Sequence, residues 1–295
     1  MLSIIITFYN ENNFVEKTID SIYEHTQLPF EIILVDDCST DVVVSENLLK
    51  YPSIRFFKND ERKGLIWSRI LGTTLANSPY LVFMDAHCNP QFNWDIELIK
   101  AVQHFGERVI CVPIIPKLDP DRWVNSLSEI GFSMTFNERL EMKWCCSNNI
   151  NDLYVESPIY AGCISLIPRS FYFELQGLDG GLQIWGAENI DLSLRCWMFG
   201  GKVVVVTSSI VGHMFKSINN YRDINEIIIS NKLRIAFINF SFDRFERILK
   251  SFGLPKQNID FRLRLNPLTE ARQAYLLHKR IYDDDWYMNK FNLSI

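Results

Sequence analysis

Three short apolar runs, at 2–8, 31–35 and 80–84, each stop abruptly at polar residues and are separated by stretches with helical spacing. Runs this short are strands buried on both faces, since a membrane span needs about 20 apolar residues. Asn10-Glu11-Asn12 caps a helix over about 13–25, Ile54–Phe57 adds a strand, and a helix over about 65–76 leads into the run at Tyr80. This βαβα order predicts a mainly parallel sheet with helices on both faces, whose ligands bind beyond the carboxyl ends of the strands. Asp36, Asp37, Asp85 and His87 fall at such ends.

Asp85-Ala86-His87 closes the run Tyr80–Met84 and sets a carboxylate and an imidazole two positions apart, on one side of an extended chain. Such a pair can hold one divalent cation; taken alone it reads sooner as an Asp-initiated turn beside an incidental histidine, and the rest of the chain reverses that order. The 295 residues carry a net charge of −5, which argues against nucleic acid or an anionic membrane as main partner. No Gly-x-Gly-x-x-Gly follows the first strand and no Gly-Lys-Ser/Thr loop occurs, so the dinucleotide-oxidoreductase and P-loop classes lack their phosphate cradles. A nucleotide would instead need acidic residues for its ribose and a metal for its diphosphate. Seven cysteines without Cys-x-x-Cys spacing predict reduced, mostly buried thiols.

Farther along, 114–160 reads as an irregular, substrate-side excursion carrying Trp123 and Trp144. Order returns at Ala161–Ile167, Pro168 opens a short helix, and Gly177–Gly181 makes a loop. After Ile184–Asn189 come an amphipathic helix to about 199, a valine strand at 203–206 and a helix over 222–239. Asp283-Asp284-Asp285 reads as a solvated face. The opening apolar run follows Met1 with no basic leader, which points to a cytoplasmic protein without a transmembrane segment.

Six segments in order carry a resemblance: Ile5-Ile6-Thr7-Phe8-Tyr9-Asn10-Glu11; Glu31 to Ser39; Arg62-Lys63-Gly64-Leu65 with Ser68-Arg69; Met84-Asp85-Ala86-His87-Cys88; Trp185-Gly186-Ala187-Glu188-Asn189; and Val211-Gly212-His213-Met214-Phe215-Lys216. Together they resemble the catalytic domain of the polypeptide N-acetylgalactosaminyltransferases and the broader family-2-like glycosyltransferases. That resemblance implies an α/β GT-A fold over 1–240, with a nucleotide-binding half at 1–110, an acceptor and sugar half at 111–240, and a helical extension at 241–295. It implies a UDP-sugar donor, carrying GalNAc or GlcNAc, and Mn²⁺ or Mg²⁺ held by Asp85, His87 and His213. A carboxylate, two imidazoles and phosphate oxygens suit Mn²⁺.

The same resemblance places Thr7, Arg62, Arg69, Ala86 and Lys216 along the donor, and either Asp36 or Asp37 at the ribose. Lys216 stands where relatives commonly have arginine, keeping the charge and losing the bidentate fork. Ala187 replaces a second glycine, and the membrane anchor, stem and carbohydrate-binding module of the eukaryotic enzymes have no counterpart in the 295 residues, so the expected source is bacterial or viral. Asn189 occupies the position where inverting relatives keep a carboxylate base, which argues for retention with Glu188 orienting hydroxyls; inversion would need Glu188 or Asp191 as base. Trp185 either covers the donor or anchors the core. The acceptor is expected to be a peptide or protein hydroxyl. The alternatives are a surface glycan or glycolipid, or a carbohydrate-binding protein of the same fold without catalysis.

Overall fold

A computed structural model describes residues 1–11, 13–41, 51–145, 152–216, 224–254 and 267–295. Asn12, Cys146 and parts of 222–239 and 241–295 lie outside the described residues. The first half runs β1 Leu2–Phe8, α1 Phe14–His25, β2 Phe30–Asp36, β3 Ile54–Lys58, α2 Leu65–Leu75, β4 Tyr80–Asp85, β5 Cys88–Pro90, α3 Trp94–Phe105 and β6 Val109–Asp119. It continues with β7 Val124–Gly131, β8 Ser133–Phe136, β9 Met142–Cys145, β10 Tyr154–Glu156, β11 Ile164–Pro168, α4 Arg169–Glu174, α5 Glu188–Met198 and β12 Lys202–His213. Helices α6 Ile224–Asn239, α7 Phe242–Ser251, α8 Pro267–Lys279 and α9 Asp284–Phe291 complete it.

The main sheet has the order β10-β12-β6-β11-β4-β1-β2-β3, with β5 added on β12 and β7 on β6. Strands β3, β2, β1 and β4 are mutually parallel, and β11 runs antiparallel between β4 and β6. The chain leaves β1 to one side for β2 and reaches β4 on the other, so the ends of β1 and β4 flank a crevice. Thr7 pairs with Asp85 there, and Phe8 with Asp36.

Both faces are buried, which explains why these strands are largely apolar rather than alternating, with Ser3, Thr7 and Glu31 as buried exceptions. Ile5, Ile33 and Phe83 point into one core, while Ile4, Ile6, Leu34 and Val82 point into the other. Helix α1 covers the second core with Val15, Ile19 and Ile22, spaced three and four apart. The C-terminal helices join the first core through Leu233, Ile235, Ile248, Tyr287 and Met288.

Two expectations change. The described part of 114–160 is largely strand: β6 continues to Asp119, β7 folds back on it with a register shift, and β8 pairs with β9. Bulged pairing breaks the period-two pattern, and the exposed side of a hairpin carries polar residues, so nothing in the local sequence announces strands. The acidic run at 283–285 is a solvated face only at its two ends. Asp283 stays exposed while capping α9 by accepting from the Trp286 amide, Asp284 is buried against Arg244, and Asp285 is exposed. The six described cysteines are free, four of them buried, and no described helix is long and apolar enough to cross a membrane.

Candidate active site

The β4–β5 turn and the end of β12 meet because His213 pairs with Cys88 and the Met214 amide donates to the His87 carbonyl. Ligand atoms of Asp85, His87 and His213 thereby lie within 4.8 Å of one another. Burial lowers the proton affinity of His213 and, with His87 beside it, outweighs the pull of Asp85, so the imidazole is neutral near pH 7. Both ring nitrogens of His213 are buried without a hydrogen-bond partner; Nε2 stands 3.3 Å from Asp85 Oδ2 but out of line for a hydrogen bond. For Asp85, burial pushes the carboxyl up, but His213, the Arg69 guanidinium and His87 outweigh it and hold it at about 2. An ionised carboxylate beside a neutral imidazole with an unused lone pair fits a divalent cation.

These residues form one wall of a cavity of about 300 Å³ lined also by Thr7, Tyr9, Glu11, Asp37, Arg62, Gly64, Ala86, Ile184, Trp185, Phe215 and Lys216. Thr7 Oγ1 is buried there with no partner. Arg62 stacks over Tyr9 at 4.1 Å, and Trp185 keeps 37% of its surface exposed on the cavity, as a donor cover would rather than a core anchor. Gly64 is required on this rim. Its φ is +89°, and a Cβ would lie 2.3 Å from the Ile184 Cα, so no other residue allows the bridge between 64 and 184.

Of the two aspartates left open at the ribose, Asp37 is on the cavity. Its carboxylate accepts from the Lys63 and Gly64 amides, Asn59 and Ser68, so it also builds the 59–64 turn. Asp36 is turned away, accepting from the Ser39 amide and paired with Lys58. Arg69 is not a surface charge. It is 2% exposed, with Nη2 2.8 Å from Asp85 Oδ1 and 2.9 Å from the Gly162 carbonyl, and Nη1 3.4 Å from Glu188 Oε1. Burial raises the Glu188 carboxyl above its ordinary value despite Arg69.

The structure does not bring Asp191 or Asn189 to the cavity. Asp191 is one turn along α5, where it pairs with Arg195 at 2.5 Å and accepts from Asn239, so its place as a candidate base is lost. The Asn189 amide is buried against the Tyr160 carbonyl and the Met142 sulfur, which makes it a packing residue. Lys216 reaches the rim and binds both oxygens of Glu11. Glu11 is a site residue that the motif reading quoted without a role; its position just beyond β1 is the signal that could have found it.

A profile of Glycosyl transferase family 2 matches residues 3–175, and one described as the N-terminal domain of galactosyltransferase matches 144–219. Polypeptide N-acetylgalactosaminyltransferase 14 of Homo sapiens is 36% identical over 228 residues, covering 74% of this chain and 41% of the relative. Polypeptide N-acetylgalactosaminyltransferase 11 of Xenopus tropicalis is 31% identical, covering 90% and 48%. The chain thus spans less than half the length of these curated relatives. A crystal structure of GalNAc-T7 with UDP, GalNAc and Mn²⁺ superposes with a TM-score of 0.83 at 25% identity, over 99% of this chain and 57% of that one. A mannosyltransferase from Pyrobaculum calidifontis shares the fold alone, at a TM-score of 0.58 and 16% identity.

The expectation of a cytoplasmic bacterial or viral enzyme is overturned, because the similar curated proteins are animal polypeptide N-acetylgalactosaminyltransferases. The architecture is GT-A-like, as the resemblance implied. With more than half of its 295 residues matched, the chain belongs to Glycosyl transferase family 2.

Proposed function

We propose that this chain transfers GalNAc from UDP-GalNAc to a peptide hydroxyl, with a divalent cation and retention of configuration. The observation that carries this reading is the convergence of Asp85, His87 and His213 on a cavity that also holds Thr7, Asp37, Arg62 and Trp185. The polypeptide N-acetylgalactosaminyltransferases among its relatives, and the UDP, GalNAc and Mn²⁺ bound by GalNAc-T7, supply the donor and acceptor. Residues 1–240 would form the catalytic unit and 241–295 an extension packed on it.

Asp85, His87 and His213 would hold the cation, which supplies Lewis-acid stabilisation of charge on the diphosphate. Thr7 and Asp37 face the uridine end, Trp185 covers the donor, and Arg62 adds positive charge along the diphosphate. Arg69 ties Asp85 to Glu188, which is buried off the cavity wall, so Glu188 acts as a positioning residue through Arg69 and Asp85. In the reaction the acceptor oxygen bonds to the anomeric carbon, the bond from that carbon to the β-phosphate oxygen breaks, and the acceptor proton passes to the leaving diphosphate. Retention is supported by the described carboxylates: on the cavity Glu11 is paired, Asp37 is occupied by its turn and Asp85 belongs to the cation site, while Glu188 is buried behind the wall against Arg69, leaving none free to act as an opposite-face base.

The test is UDP release from UDP-GalNAc, UDP-GlcNAc and UDP-glucose with a Ser/Thr peptide or an oligosaccharide, with Mn²⁺ or EDTA. Mn²⁺-dependent GalNAc transfer to peptide is expected, and NMR of the product should show an α-linkage. Preference for the oligosaccharide would move the acceptor to the glycan class, and a β-linkage would overturn retention.

A further inference from the structure

Glu11 lies just past the end of β1, and only 9% of its surface is exposed. The loop that carries it is fixed at Asn10, which sits at φ +52°, donates its amide to Ser39 Oγ and accepts the Thr40 amide with its side chain. From there the Glu11 carboxylate reaches two partners at once. Oε2 is 3.0 Å from His87 Nδ1, and both oxygens lie 2.5–2.6 Å from Lys216 Nζ.

A carboxylate on one ring nitrogen of an imidazole selects the tautomer. It can only accept, so the proton sits on Nδ1, and Nε2 is left as the nitrogen with a free lone pair. The same bond fixes the ring about its two side-chain torsions, removing rotamer freedom that binding would otherwise have to freeze. His213 has no such support, since both its nitrogens lack a hydrogen-bond partner. Asp85 is oriented by Arg69. One ligand of the three is thus oriented by an arginine, one by Glu11, and one only by packing and its 3.3 Å contact with Asp85.

We infer that Glu11 is a positioning residue: it presents His87 Nε2 to the cation and tethers the Lys216 ammonium at the rim of the donor cavity. The inference rests on the reading of Asp85, His87 and His213 as a cation site. Losing a carboxylate that orients a metal-bound histidine costs 10- to 100-fold in metal affinity in general.

The experiment is Mn²⁺ titration of the full chain by electron paramagnetic resonance without nucleotide, so that donor binding and turnover do not enter. Glu11→Ala should weaken Mn²⁺ binding about 10- to 100-fold. Glu11→Gln, whose amide oxygen still accepts from Nδ1, should recover most of that loss, which a purely packing role or a purely electrostatic one would not produce. In donor kinetics Glu11→Gln should keep a raised KM for the UDP-sugar, because an amide no longer holds the Lys216 ammonium. Parental Mn²⁺ affinity in Glu11→Ala overturns this inference and leaves the cation site standing. Equal loss in Glu11→Ala and Glu11→Gln also overturns it, since charge rather than ring orientation would then matter. Failure of the parent chain itself to bind Mn²⁺ overturns both the inference and the site on which it rests.

Discussion

The guanidinium of Arg69 lies 2.8 Å from Asp85, with its other nitrogen 3.4 Å from Glu188, so one buried cation ties the end of β4 to the start of α5. This links the candidate cation site to the Trp-Gly-Ala-Glu segment through a residue outside both motifs. It also changes what a substitution at Asp85 measures, because removing that carboxylate leaves a buried arginine with the Gly162 carbonyl and only the longer ion pair to Glu188.

Asp85→Asn should abolish Mn²⁺ binding and Mn²⁺-dependent UDP release while keeping an oxygen near Arg69. Asp85→Ala should lose the same activity and in addition be destabilised by about 3–5 kcal/mol, the usual cost of breaking a buried pair. Urea denaturation beside the activity assay checks this. Near-parental turnover in Asp85→Asn would remove the cation assignment.

Arg69→Met fills a similar volume without charge and leaves Asp85 and Glu188 facing each other unscreened. A loss of about 3 kcal/mol or more is expected in urea denaturation, with turnover falling further than stability alone explains. Activity at the parental level would show that Arg69 orients neither carboxylate.

Trp185→Ala should raise the donor KM about tenfold, equivalent to about 1.4 kcal/mol, because an exposed ring on the cavity wall loses its stacking contact. A small change in melting temperature should accompany it, as 37% of the side chain is already exposed. An unchanged KM with a large fall in melting temperature would return this tryptophan to the core.

Ala187 sits at φ +69°, a left-handed conformation that costs an L-residue about 1–2 kcal/mol. Ala187→Gly should relieve that strain against a loss of about 0.8 kcal/mol for the buried methyl, giving net stabilisation on the order of 0.5 kcal/mol. Paired thermal melts decide the sign. Destabilisation would mean that methyl packing outweighs the backbone term.

Burial pushes the Asp191 carboxyl up, but Arg195, Arg272 and Asn239 outweigh it and hold it below its ordinary 3.8. A depressed native value means that this group stabilises the fold above about pH 3.8 and that the contribution is lost as pH falls through the native value. Asp191→Asn should therefore be less stable at pH 7, by about 3–5 kcal/mol, and the gap should narrow towards pH 2. Urea midpoints across that range test it; a constant gap would assign the loss to packing.

Local sequence settles the parallel β3-β2-β1-β4 part of the sheet. The runs at 2–8 and 80–84 are largely apolar because both sheet faces are covered, and their polar ends mark the carboxyl edge where Thr7, Asp37, Asp85 and His87 stand. Tertiary structure alone decides the rest. Whether Asp36 or Asp37 faces the cavity depends on which carboxylate the 59–64 turn recruits, and Asp191 looks like a base until Arg195 and Arg272 arrive from one turn away and from α8. The pairing of Glu11 with His87 and Lys216, and of Arg69 with Asp85 and Glu188, joins residues far apart in the chain. Periodicity reports only which face of a strand or helix is buried; the partner a charge finds is fixed by how distant elements cross, and only the folded chain contains that information.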